Sequence, residues 1–177
     1  MAIWRWVAVA AFAGVVPGAG AQVPLPHIPA VHGTALSGER VELPAAFEGK
    51  VGVLVVGFSQ ASRGQVTAWG KRLAGDYRES TRVVYYEMPV LESVPRLLRS
   101  WVLKKIRDQV PEREQARFLP LLDHESDWKK VAGYGKADEA YVLIVDAGGA
   151  VRGKVEGTAS DAAYAEVRRR VEGVQQE

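Results

Sequence analysis

Eight consecutive residues, Val51-Gly-Val-Leu-Val-Val-Gly-Phe58, carry no polar or charged side chain. Successive side chains of a β-strand point to opposite faces, so a sheet wetted on one side needs alternation. An unbroken apolar run needs cover on both faces. The run is too short to cross a bilayer as a helix, and it is bounded by Gly49-Lys50 and Ser59, so it reads as a central strand of an α/β domain. Apolar residues make up 47% of the chain and cysteine is absent, so packing alone must hold that domain together.

The other elements fall into order around this strand. Residues 31–36 and 40–43 flank Ser37-Gly38-Glu39, which predicts an amino-terminal β-hairpin. Ser62 is placed to cap a helix whose Val66, Trp69, Leu73 and Tyr77 share one apolar face. Residues 82–88 read as a second strand. A helix starting near Ser93 and Pro95 then carries Val94, Leu97, Leu98, Trp101 and Val102 at the spacing of a buried stripe, with Arg96, Arg99 and Arg107 accessible. Pro111 and Pro120 break up the segment behind it, and Trp128 and Val131 mark a short helix at 127–132. Residues 141–146 and 150–156 form a strand pair around Ala147-Gly148-Gly149. The spacing of Thr158 and Asp161 predicts the start of a last helix lined by Tyr164, Val167, Val171 and Val174. The strands at 53–56 and 142–145 are expected to be central neighbours, and Trp69, Trp101 and Trp128 are all expected in the core.

The amino terminus points to export. Arg5 precedes an apolar run at 7–16, and Ala19-Gly20-Ala21 offers the small side chains a signal peptidase accepts, so residues 1–21 are read as a signal peptide cleaved before Gln22. Trp4 and Trp6 fit the rival reading, an uncleaved anchor. Residues 22–30, with Pro24, Pro26 and Pro29, form an extended arm read as a tether, and residues 31–177 form one domain. The expected location is extracytoplasmic, with no stable transmembrane segment after cleavage. A net charge of +2 calls for no nucleic acid.

The order hairpin, β, α, β, α, β, β, α is similar to the thioredoxin-like fold. Gly38-Glu-Arg-Val-Glu-Leu-Pro44, Gly49-Lys50 and Val53-Leu-Val-Val-Gly-Phe-Ser59 resemble the opening of TlpA-like and peroxiredoxin-like proteins, and Tyr141-Val-Leu-Ile-Val-Asp146 with Gly148-Gly149 resembles their closing hairpin. The extra helix at 97–107 is also similar to that of thioredoxin-like mitochondrial ATP-synthase assembly factors. The resemblance implies an α/β domain with a central mixed sheet, helices on both faces, an amino-terminal hairpin and an extra helical segment. It also implies that the redox Cys-x-x-Cys falls at Ser62 and Gln65, and the cis-proline at Ala140. A serine hydroxyl is far less acidic than a thiol and forms no disulfide, so thiol redox chemistry by this chain's own residues is excluded. Without proline the peptide before Ala140 is expected to be trans.

Two surfaces then carry the functional expectation. Ser59-Gln-Ala-Ser-Arg-Gly-Gln65 should lie exposed at a helix amino terminus, where Ser62, Arg63 and Gln65 could receive a carboxylate or phosphate. Arg96, Arg99, Lys104, Lys105 and Arg107 form an acid-free basic run, and Arg99, Lys104 and Arg107 are nominated for an acidic partner. The reading is a non-catalytic module that binds a protein or peptide in assembly or folding of an envelope complex. The alternative is a small-ligand binder or hydrolase using the Ser59 loop, since Gly57-Phe-Ser-Gln-Ala61 resembles a nucleophile elbow with His124 as the only later histidine. His27, His32 and the cluster Asp123, His124, Glu125 and Asp127 lack the converging ligands zinc requires, so neither metal nor cofactor is expected.

Overall fold

The computed structural model describes residues 25–177, so the signal segment and residues 22–24 of the arm lie outside the described residues. The hairpin pairs β1 (Val31–Thr34) with β2 (Arg40–Leu43). The main sheet contains β3 (Val51–Gly57), β4 (Val83–Pro89), β5 (Ala140–Val145) and β6 (Val151–Glu156) in the order β4-β3-β5-β6. β3 runs parallel to β4 through helix α1 (Arg63–Tyr77) and antiparallel to β5, with Leu54 opposite Leu143. The remaining helices are α2 (Arg96–Arg107), α3 (Glu125–Ala132) and α4 (Asp161–Gln175).

Every residue of β3 and β5 is buried, as their unbroken apolar sequences require. Val53, Val55, Val142 and Ile144 face Val66, Trp69 and Leu73 of α1 and Val167 and Val171 of α4. Leu54, Val56, Tyr141 and Leu143 face the other way, onto the hairpin, Phe47, Leu119 and Trp128 of α3. Gly52 admits the closest approach: a Cβ there would lie 2.6 Å from Val145 Cγ2 and 2.7 Å from Phe47 Cε1. Both sheet margins are partly covered, which shortens the exposed edges that invite pairing with other chains. Leu119 N–H donates to Glu87 O at 2.8 Å and Leu121 N–H to Pro89 O at 2.9 Å, laying residues 118–121 along β4. Val151 N–H donates to Pro26 O at 2.8 Å and Ile28 N–H to Gly149 O at 3.0 Å. The described end of the arm is therefore docked at the β5–β6 turn, with Ile28 buried, rather than a free tether.

Two sequence expectations need correction. Helix α2 forms, but it buries no residue; Leu97 is 93% exposed, Leu98 51% and Trp101 56%. Of the expected stripe Val94 and Val102 are half-buried, and Val102 shares its side of the helix with Arg99, Leu103 and Ile106, a second stripe at the same helical spacing. Trp101 is thus outside the core, whereas Trp69 and Trp128 are fully buried. The last helix is capped by Ser160, whose hydroxyl accepts from Ala163 N–H at 3.2 Å, and not by Thr158.

Candidate functional site

The carboxyl end of β3 delivers the chain into a turn organised by one hydroxyl. Ser59 Oγ accepts from Ala61 N–H at 3.1 Å and Ser62 N–H at 3.4 Å, and donates to Ala137 O at 2.5 Å. Ser62 Oγ donates back to Ser59 O at 2.9 Å. Ser62 sits at the start of α1 in helical backbone conformation (φ −76°, ψ −9°), so its hydroxyl caps nothing, and the residue is fully buried over Gly57. This corrects the expectation of an exposed, side-chain-capped Ser62. Arg63 N–H is bonded to Gln60 O at 3.2 Å, so the turn satisfies internally much of what it was expected to offer an anion.

Two of the three positions marked by the resemblance meet. Gln65 Oε1 accepts from Ala140 N–H at 3.3 Å, joining the first turn of α1 to the first residue of β5. Among the described residues the only cis peptide is Leu43–Pro44, so the bond before Ala140 is trans. The loop before β5 is held by Tyr141, whose hydroxyl accepts from Gly135 N–H at 2.9 Å and Lys136 N–H at 2.8 Å and donates to Lys136 O at 2.9 Å. Phe58 packs edge-on against Tyr134 and Tyr141, with ring centroids 5.1 Å and 5.6 Å away. Ser59 has backbone groups alone as hydrogen-bond partners, so the nucleophile-elbow reading lacks its base and acid.

The exposed Arg63 reaches across to Gln109, donating from its guanidinium to Gln109 Oε1. Gln109 lies two residues beyond Arg107, so the start of α1 and the basic end of α2 form one surface. Lys104 and Arg107 are exposed. Arg99 is half-buried rather than accessible, and it donates to Val94 O at 3.0 Å and Glu92 O at 2.8 Å, closing the amino end of its own helix. The Asp123–Asp127 cluster is likewise structural. Glu92 carboxylate accepts from Glu125 N–H at 2.6 Å at the start of α3, Lys129 pairs with Glu125 at 2.6 Å, and His124 Nδ1 lies 3.5 Å from Asp127 Oδ2. Among the described residues no group of three metal-ligating side chains converges.

One titratable cluster was missed. Glu87, in the middle of β4, presses its carboxyl against Gly70 of α1, where a Cβ would collide with it. Burial, then the nearby Glu114 carboxylate, pushes its pKa up to about 8. Tyr85 donates to Glu114 Oε2 at 3.2 Å, Arg78 pairs with Glu114, and Arg117 lies over the Tyr85 ring. Burial and then Glu114 raise the Tyr85 pKa as well. The signal was available in the sequence as a single carboxyl inside Val83-Val-Tyr-Tyr-Glu-Met-Pro89.

No family model and no curated sequence matches the chain. Solved structures do. The thioredoxin domain of a thiol-disulfide oxidoreductase from Bacteroides vulgatus matches 85% of this chain and 99% of its own length at 20% identity and TM-score 0.54. A thiol:disulfide interchange protein from a Bacteroides species matches 87% and 93% at 21% identity and TM-score 0.51. The exposed lipoprotein thioredoxin of Streptococcus pneumoniae matches 80% and 98% at 11% identity and TM-score 0.56. The fold is thioredoxin-like: a four-stranded mixed sheet with helices and an amino-terminal two-stranded hairpin. The particular chain is a cysteine-free version of it, with Ser62, Gln65 and Ala140 at the positions read as redox positions.

Proposed function

We propose that this chain is an exported, non-redox thioredoxin-like module that binds a protein or peptide partner of acidic character, in assembly or folding within the cell envelope. The observation that carries the reading is the contact between Arg63 and Gln109, which joins the loop at the old redox position to the basic half of α2. Arg63, Lys104 and Arg107 then present three cations on adjoining elements, suited to the carboxylates of a peptide. Ser62 and Gln65 shape this surface from below. The small-residue site before Gln22 and the likeness to an exposed lipoprotein support export.

The test is a titration of the labelled protein with an acidic peptide at low salt, read by amide shifts. Movement of Arg63 to Gln65 together with Lys104 to Gln109, lost in Arg63→Ala, is the expected result. Shifts confined to other surfaces, or unchanged by Arg63→Ala, contradict the proposed site.

A further inference from the structure

Helix α2 carries five cations and no acid between Arg96 and Arg107. At about 100° of rotation per residue, Arg99, Val102, Leu103 and Ile106 fall on the side turned to the body. Leu97, Trp101, Lys104 and Lys105 fall opposite, with Leu98 beside them, and all five are exposed. The Lys105 ammonium lies 4.3 Å from the centroid of the Trp101 ring. Leu97, Trp101 and Leu98 are the most exposed large apolar side chains among the described residues.

We propose that this outward face of α2 seats on an anionic phospholipid bilayer, with Leu97, Leu98 and Trp101 entering the headgroup boundary and Lys104 and Lys105 meeting lipid phosphates. Charge complementarity decides the occupant. A protein interface is depleted of lysine at its core, whereas an interfacial helix uses lysine and arginine beside tryptophan and leucine, because the long stems stay in the apolar layer while the ammonium groups reach the phosphates. Among the described residues no helix is long and apolar enough to cross a membrane, so α2 lies on the surface. This goes beyond the peptide site, which uses Arg63, Lys104 and Arg107; Lys104 stands at the border of the two surfaces.

The cysteine-free chain permits a direct test: a single Leu97→Cys substitution, at a position with almost no contacts to lose, labelled with a polarity-sensitive dye in the full chain. Vesicles containing phosphatidylglycerol shift the emission to the blue, vesicles of phosphatidylcholine alone do not, and Lys104→Gln with Lys105→Gln removes the shift. A dye on Glu172→Cys of α4 stays in water throughout. No shift with phosphatidylglycerol, or a shift that survives the double lysine substitution, overturns the proposal. So does a dye already in an apolar environment without lipid, which would mean that residues 1–24 or a second copy cover the face, or a shift given by an acidic amphipathic peptide but not by vesicles. The peptide titration of Arg63 is a separate readout, so either proposal can fail alone.

Discussion

Gln65 and Ala140, 75 residues apart in sequence, are joined by a 3.3 Å hydrogen bond from the Ala140 N–H to the Gln65 side-chain oxygen. The bond ties the start of α1 to the start of β5, the same junction at which the resemblance puts the second redox cysteine and the cis-proline. The groups at this junction, a serine, a glutamine and an alanine, cannot exchange electrons.

The frame itself is testable. Ser62 and Gln65 stand three apart at the start of a helix, where side chains are neighbours. The pair Ser62→Cys and Gln65→Cys is expected to close an intramolecular disulfide under mild oxidation, seen as the loss of two hydrogens in the intact mass. Two persistently free thiols in the folded variant contradict the shared geometry.

The half-buried Glu87 makes stability depend on pH with a definite sign. Its folded-state pKa is raised from 4.5 to about 8, so between those values the folded chain holds a proton that the unfolded chain has lost. Stability from this group is therefore full below pH 4.5 and declines as pH rises through 8, by at most about 1.4 kcal/mol per pH unit. Urea unfolding of the parent and Glu87→Gln across this range is expected to show the loss in the parent alone. Equal slopes in both proteins contradict the assignment.

Two tryptophans with the same sequence signature should behave oppositely. Trp69 is fully buried and donates from its indole to Gly157 O at 2.8 Å, whereas Trp101 is mostly exposed. Trp69→Phe is expected to cost about 2 kcal/mol in denaturant unfolding, from lost packing and a lost hydrogen bond. Trp101→Ser should stay within about 0.5 kcal/mol of the parent. A large cost at Trp101 contradicts its placement.

That contrast marks what the sequence could reveal. β3 and β5 were legible because an uninterrupted apolar strand has only one stable environment, a sheet covered on both faces. Helix α2 was legible as a helix but not as a face, because it carries two apolar stripes, and periodicity does not say which one touches the body. The role of Ser62 was hidden for a local reason. Its position at the head of α1 was readable, but its helical φ and ψ turn the hydroxyl back to Ser59 O, away from the N–H groups it was expected to cap. Glu87 was readable as an anomaly, though Gly70 and Glu114, which set its chemistry, come from distant segments.

Arg99 separates structure from recognition on one helix. Because it closes the amino end of α2 through Val94 O and Glu92 O, Arg99→Gln is expected to speed amide exchange in the first turn of α2 while leaving peptide affinity within about twofold, on the order of 0.4 kcal/mol. Lys104→Gln with Arg107→Gln should do the reverse. Loss of affinity on Arg99→Gln without faster exchange contradicts this division.

Partner binding is expected to run through the surface that joins Arg63 to α2 and to need no thiol. Affinity capture from native envelopes at low salt, without cross-linker or reductant, tests it most directly, with the parent chain and a triple Arg63→Ala, Lys104→Gln, Arg107→Gln variant as paired baits. A specific protein is expected to elute from the parent with salt alone and to be depleted on the folded triple variant. Equal recovery on both baits, or a captured protein that salt does not release, would contradict it.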